Sequence, residues 1–154
     1  MFVTVDVAQS FTEFVEAVEP RLRVSLMASY GADRGREATA EALAFAWENW
    51  DRVSSLEYPV AYLHRVGRSQ TRGRKAPVLA DVQHTESHSV EPGLLVALES
   101  LSRKQRTAVV LVHAFDWTHA EAARVMRVKE PTVKTHVQRG LAKLRKSLEV
   151  TTDV

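Results

Sequence analysis

The chain has 154 residues, 21 Lys and Arg against 19 Asp and Glu, and no cysteine. That length suits one ordinary domain or two small ones, the composition is that of a folded protein rather than a disordered tail, and the missing thiols exclude disulfide frameworks, thiolate metal sites and cysteine nucleophiles. No apolar run approaches a membrane span, so no membrane insertion is expected.

The N-terminus "MFVTVDVAQSFTEF" lacks the basic n-region and long apolar core of a secretory signal, which makes the cytoplasm the expected compartment. From Ser10 to Val24, the residues Phe11, Phe14, Val15, Val18 and Leu22 share one helical face, and Ser10 with Glu13 reads as a capping box. After the breaker "YGADRG", a second helix is expected from Glu37 to Trp50, with Leu43, Trp47 and Trp50 on one side as core or partly buried packing. A third should start near Pro59 and turn Val60, Leu63 and Val66 inward. Gly67 and Gly73 weaken it, so its end, rich in Arg and Lys, is expected to order only on DNA.

The stretch "APVLADVQHTESHSVEPG" has no sustained helical period and many turn formers, which predicts a flexible linker over 76–92. Fully extended it would span roughly 60 Å. The remainder reads as helical throughout: Leu94 to Leu101, Arg103 to Phe115, Thr118 to Met126, and Glu130 to about Glu149. With no strand alternation anywhere, the expected fold is all-α, two small helical modules at 8–75 and 93–150 joined by that linker.

Charge follows the same division. Residues 1–75 carry ten basic and ten acidic side chains, residues 76–92 none and three, and residues 93–154 eleven and six. A basic C-terminal module predicts a polyanionic partner, because phosphate neutralisation drives nucleic-acid affinity. The acidic linker between partly basic modules further suggests that the free protein folds closed over its DNA surfaces.

The C-terminal module has the parts of a helix-turn-helix. Thr118 and Glu121 form a second capping box, and Ala120, Ala123 and Val125 are small or apolar where a partner helix must approach. The turn "RVKE" follows, then a helix with Pro131 in its first turn. Its seam of Val133, Val137, Leu141, Leu144 and Leu148 leaves Thr132, Lys134, Thr135, Gln138 and Arg139 outward, as entry into a major groove requires. Such turns commonly place glycine in a left-handed conformation; Arg127 stands there instead, at some conformational cost.

"LESLSRKQRTAVVLVHAFDWTHAEAARVMRVKEPTVKTHVQRGLAKLR" resembles region 4 of bacterial sigma factors. "FTEFVEAVEPRLR", "EALAFAWENWDRV" and "YPVAYLHRVGRSQTRGRKA", in that order, resemble region 2 of the extracytoplasmic-function (ECF) subgroup. The resemblance implies a transcription initiation factor that binds core RNA polymerase and directs it to promoter DNA. Region 4 would read the minus-35 element through Thr118, Lys129, Glu130, Thr132, Lys134, Thr135, Gln138 and Arg139. Region 2 would open and read the minus-10 element through Tyr62, Arg65, Arg68, Arg72, Arg74 and Lys75, with Tyr58 or Tyr62 able to stack on an unpaired base.

Polymerase would be gripped by Glu37, Glu41 and Trp47, acidic and apolar chemistry against a basic partner. Here "REATAEAL" departs from the subgroup, with Arg36, Thr39 and Ala40 where a denser acidic run is usual. The linker outreaches one turn of duplex, about 34–36 Å, as modules on two separated elements require.

Two other readings stand beside this one. "TVKTHV" also suits a LuxR-type regulator, which would bind DNA as a dimer but leaves the N-terminal half unexplained. A degenerate sigma-like protein would instead serve as an interaction module for an anti-sigma factor or another regulatory protein. Neither reading is enzymatic, and the chain has no phosphate loop, triad or metal-spaced cluster. His84 and His88 lack a third ligand, so no catalytic residue, metal or cofactor is expected. His113 and His119 are expected to meet local backbone or solvent.

Overall fold

A computed structural model describes residues 2–71 and 92–152. The described residues are helical, without a strand. In order they form α1 (Phe2–Tyr30), α2 (Ala32–Glu48), α3 (Trp50–Val53), α4 (Pro59–Thr71), α5 (Pro92–Glu99), α6 (Arg103–Val109), α7 (His119–Met126) and α8 (Glu130–Thr152). A π-helical turn, Val110–Ala114, continues α6.

The apolar faces read from the sequence carry the cores. Val18, Leu22 and Leu26 of α1 are buried against Ala38, Ala42 and Ala46 of α2 and Leu63 of α4. Alanines on α2 let the helices approach closely, and aromatic rings fill the rim: Phe11 meets Trp47 at 4.9 Å and Trp50 at 5.3 Å, all edge-on. Trp50 is half-buried as expected, while Trp47 remains 51% exposed.

Two local expectations are corrected. Ser10 caps nothing, because α1 already begins at Phe2 and runs through Ser10 and Pro20. Extending a helix that packing has nucleated costs only tenths of a kcal/mol per β-branched residue, so a capping signal inside it does not stop it. The break after α1 is the single residue Gly31, at φ 95 and ψ 170, a conformation that favours glycine. α2 therefore starts at Ala32 rather than Glu37. Gly67 lies buried within α4, where a Cβ would stand 2.9 Å from Leu26 Cδ1; Gly73 and the stretch expected to order only on DNA lie outside the described residues.

A buried polar chain runs through this core. The Ser25 hydroxyl donates to the Leu22 carbonyl at 2.8 Å and lies 2.9 Å from His64 Nδ1, which leaves the His64 Nδ1–H to donate to Ser25. Burial, and then the Arg68 charge, hold the His64 pKa down at about 4, so the ring is neutral in the folded protein near neutral pH.

In the C-terminal part, Ser102 caps α6 through a reciprocal box with Gln105, and Thr118 caps α7 through the expected one with Glu121. Ala108, Leu111, Trp117, Ala122, Val125, Val133 and Val137 form its core, and Ala97 of α5 with Leu101 just beyond it packs with Leu144.

The two halves are not separate bodies. Val24 and Ala28 of α1, with Val60 and Ala61 of α4, pack against the C-terminal core. Arg21 pairs with Glu121 and lies 4.6 Å above the Trp117 ring, and Arg124 lies 4.0 Å above Tyr58. An exposed ion pair contributes only about 1 kcal/mol, so the apolar contacts of Val24, Ala28, Val60 and Ala61 are the larger part of this seam. Apolar packing and the Arg21–Glu121 contact hold the halves together, but Lys134, Gln138 and Arg139 remain exposed, so this packing does not cover the outward face of α8; the acidic linker lies outside the described residues.

Candidate nucleic-acid interface

Glu121 sits at the entry of the helix-turn-helix. Its backbone N–H donates to Thr118 Oγ1 at 3.1 Å, while its carboxylate accepts from the Thr118 hydroxyl at 3.0 Å and from Arg21 through the other oxygen. The cap that starts α7 is thus tied to the opposite half of the molecule.

The turn to α8 is made by Arg127 at φ 59 and ψ 44, the left-handed conformation that glycine usually supplies, with its N–H on the Ala123 carbonyl. An L residue pays about 1–2 kcal/mol there, and glycine avoids that while losing more backbone entropy on folding. Arg127→Gly is therefore expected to stabilise the protein by roughly 0.5–1 kcal/mol, measured by urea denaturation. A loss of stability would mean that the Arg127 side chain contributes more than its backbone costs.

α8 is oriented by its seam. Val133 and Val137 are buried, so Lys134, Gln138 and Arg139 face solvent, as do Lys129 and Glu130. Thr132 and Thr135 are half-exposed, and the Thr135 hydroxyl donates to the Pro131 carbonyl at 3.0 Å. Burial, then Lys104 and Arg139, lower the His136 pKa, so this helix face carries its charge on Lys and Arg rather than on histidine.

The other expected DNA set lies on α4. Arg65 and Arg68 are exposed to the seam between the halves, where they line a cavity together with Arg103, Lys104 and Arg127. Tyr62 is half-buried, tilted on Phe45 at 6.2 Å, with Arg52 at 5.5 Å over its ring. Tyr58 is the more accessible ring, 46% exposed beneath Arg124. Arg72, Arg74 and Lys75 lie outside the described residues, as do His84 and His88. Glu37 and Glu41 are exposed on one face of α2, with Trp47 beyond them. His113 is exposed and His119 half-exposed.

Among the described residues there is no metal-binding group of three or more candidate ligands, and no helix long and apolar enough to cross a membrane. Sequence reasoning missed Arg103, Lys104 and Arg127 as neighbours of Arg65. Only the packing of distant helices brings them together.

The sigma-70 region 4 family model matches residues 93–144, which contain the whole helix-turn-helix. RNA polymerase sigma-E factors of Streptomyces antibioticus and Streptomyces avermitilis are each 32% identical over 120 residues, covering 70% of this chain and 67% of theirs. The chain belongs to the RNA polymerase sigma factors.

The sigma-E factor of Streptomyces coelicolor is 31% identical over 119 residues with the same coverage. The sigma factor fold extends across both halves: the sigma factor RpoE of Bartonella quintana, solved in complex with the anti-sigma factor NepR, superposes with a TM-score of 0.64. At 24% identity that alignment covers 91% of this chain and 97% of that one. The two-module, all-helical plan is that of the ECF type. Sigma factors are non-enzymatic transcription factors that direct RNA polymerase to promoters, so the LuxR-type and interaction-only readings are not favoured.

Proposed function

We propose that this sigma factor reads promoters with two modules, residues 8–75 as region 2 and residues 93–150 as region 4, with 76–92 as connector. The observation that carries the reading is α8, whose buried Val133 and Val137 turn Lys134, Gln138 and Arg139 outward. In this reading α8 enters the major groove of the minus-35 element, and Lys129, Thr132 and Lys134 set its register on phosphates and base edges. Thr118 acts mainly through the α7 start it caps, and the Thr135 hydroxyl is engaged by the Pro131 carbonyl within α8.

Region 2 follows the minus-10 strand with Arg65, Arg68, Arg72, Arg74 and Lys75, and Tyr62 or the more exposed Tyr58 stacks on an unpaired base. Glu37, Glu41 and Trp47 form the polymerase-facing surface of α2. The protein acts in the cytoplasm with core polymerase and performs no covalent chemistry of its own. An anti-sigma factor or similar regulatory protein is a further proposed partner.

Because Arg65 and Arg68 line the seam, the halves must part before both modules engage a promoter. The test is a run-off assay with core polymerase from the host and genomic promoter fragments. Promoter-specific transcripts that depend on the added protein are expected. Duplex binding without any association with core polymerase would overturn the reading in favour of a stand-alone regulator.

A further inference from the structure

Between α4, the end of α1 and the start of α6 lies a cavity of about 230 Å³. Arg65 and Arg68 reach it from one half of the molecule; Arg103, Lys104 and Arg127 reach it from the other. No Asp or Glu lines it. Among the described residues, Arg65, Arg103, Lys104 and Arg127 form no ion pair. The Arg103 guanidinium instead lies 5.2 Å over the Tyr30 ring, at the rim of the cavity.

The floor is polar: Ser29 and Thr107, both buried, line it with hydroxyls about 3.4 Å apart, one from each half. His64, also in the wall, is held neutral by burial and by Arg68 and therefore does not add to the positive charge near neutral pH.

Arg65, Arg103, Lys104 and Arg127 bring positive charge from both halves to one small cavity lined by no Asp or Glu, which favours an anion between them. Guanidinium forks match phosphate oxygens in geometry, whereas the Ser29 and Thr107 hydroxyls already donate to the Ser25 and Arg103 carbonyls. The volume is below that of pockets that enclose a whole drug-sized ligand, about 300–1,000 Å³, and far too narrow for a duplex.

We propose that this cavity seats a diphosphate group, which bridges the two halves and stabilises their packed arrangement. Because its walls come from both halves, a ligand held by Arg65 on one side and Arg103, Lys104 and Arg127 on the other binds the packed form preferentially and shifts the protein toward it. This inference does not depend on which promoter elements the two modules read.

The experiment is calorimetric titration of the full chain with inorganic pyrophosphate, set against potassium chloride at equal ionic strength. Saturable binding is expected for the native chain, weakened at least tenfold in Arg103→Ala/Lys104→Ala and several-fold in Lys104→Gln alone. The charge-matched pair Arg145→Ala/Lys146→Ala, exposed on α8 away from the cavity, should bind as the native chain does. Pyrophosphate should also raise the melting temperature of the native chain but not that of Arg103→Ala/Lys104→Ala.

Repeating the titration with a nucleoside diphosphate separates the sources: tighter binding than pyrophosphate assigns the group to a nucleotide, and weaker binding assigns it to the free anion. Heats indistinguishable from chloride would overturn the proposal. So would equal weakening by the cavity and control pairs, which would reduce the effect to net charge. Lys104→Gln keeps the Arg103–Tyr30 contact and so answers the question even if the double variant fails to fold.

Discussion

Removing Lys134 and Arg139 together, as Lys134→Ala/Arg139→Ala, is expected to lower affinity for a minus-35 promoter duplex by about 10–100-fold. Both side chains are exposed on α8, and neither forms an ion pair among the described residues. Their removal therefore leaves no buried charge behind, and alanine is the best helix former, so folding should be unaffected. Each phosphate that is no longer neutralised should reduce the slope of log affinity against log salt by about 1.

The measurement is fluorescence anisotropy on labelled duplex across a salt series. Val133→Ala provides the contrast: Val133 is fully buried beneath the same helix, so that change should cost stability through a cavity, with the salt slope of the remaining folded protein intact. An unchanged slope in the double charge variant would remove α8 from the DNA interface.

The second large effect is expected at Gly35. A Cβ there would stand 2.5 Å from Met27 Cα and 2.6 Å from Met27 N. These are backbone atoms of α1, which cannot rotate away as a side chain does, so α1 and α2 would have to separate. Gly35→Ala should therefore destabilise the protein by about 2–3 kcal/mol, read from the urea midpoint.

The sign is what discriminates. In an exposed helix the same substitution gains up to about 1 kcal/mol from propensity, so a variant as stable as the native chain would show that the helices part cheaply. If Glu37, Glu41 and Trp47 of α2 form the polymerase-facing surface proposed above, polymerase association should weaken with it.

Helix after helix was legible because each carries its own period. Leu22, Leu63 and Val133 are fully buried, and each sits where apolar spacing placed it. The Thr118–Glu121 cap and the left-handed Arg127 followed from residue types a few positions apart. Helix starts were less legible. Ser10 and Glu13 have the right letters for a cap, yet packing of Phe11, Phe14 and Val18 lets α1 continue past them. Gly35 read as part of a breaker and lies inside α2, because its partner, Met27, belongs to another helix.

The sequence by itself therefore determined the all-helical class, the helix-turn-helix and the resemblance to sigma factors, since periodicity, capping and turn chemistry act over a few residues. Only the tertiary structure decided that the two halves pack together and that Arg65 and Arg68 meet Arg103, Lys104 and Arg127 around one cavity. The Arg21–Glu121 contact that helps to hold them spans 100 positions. No local pattern encodes a pairing at that distance; it arises from shape and burial once the helices exist.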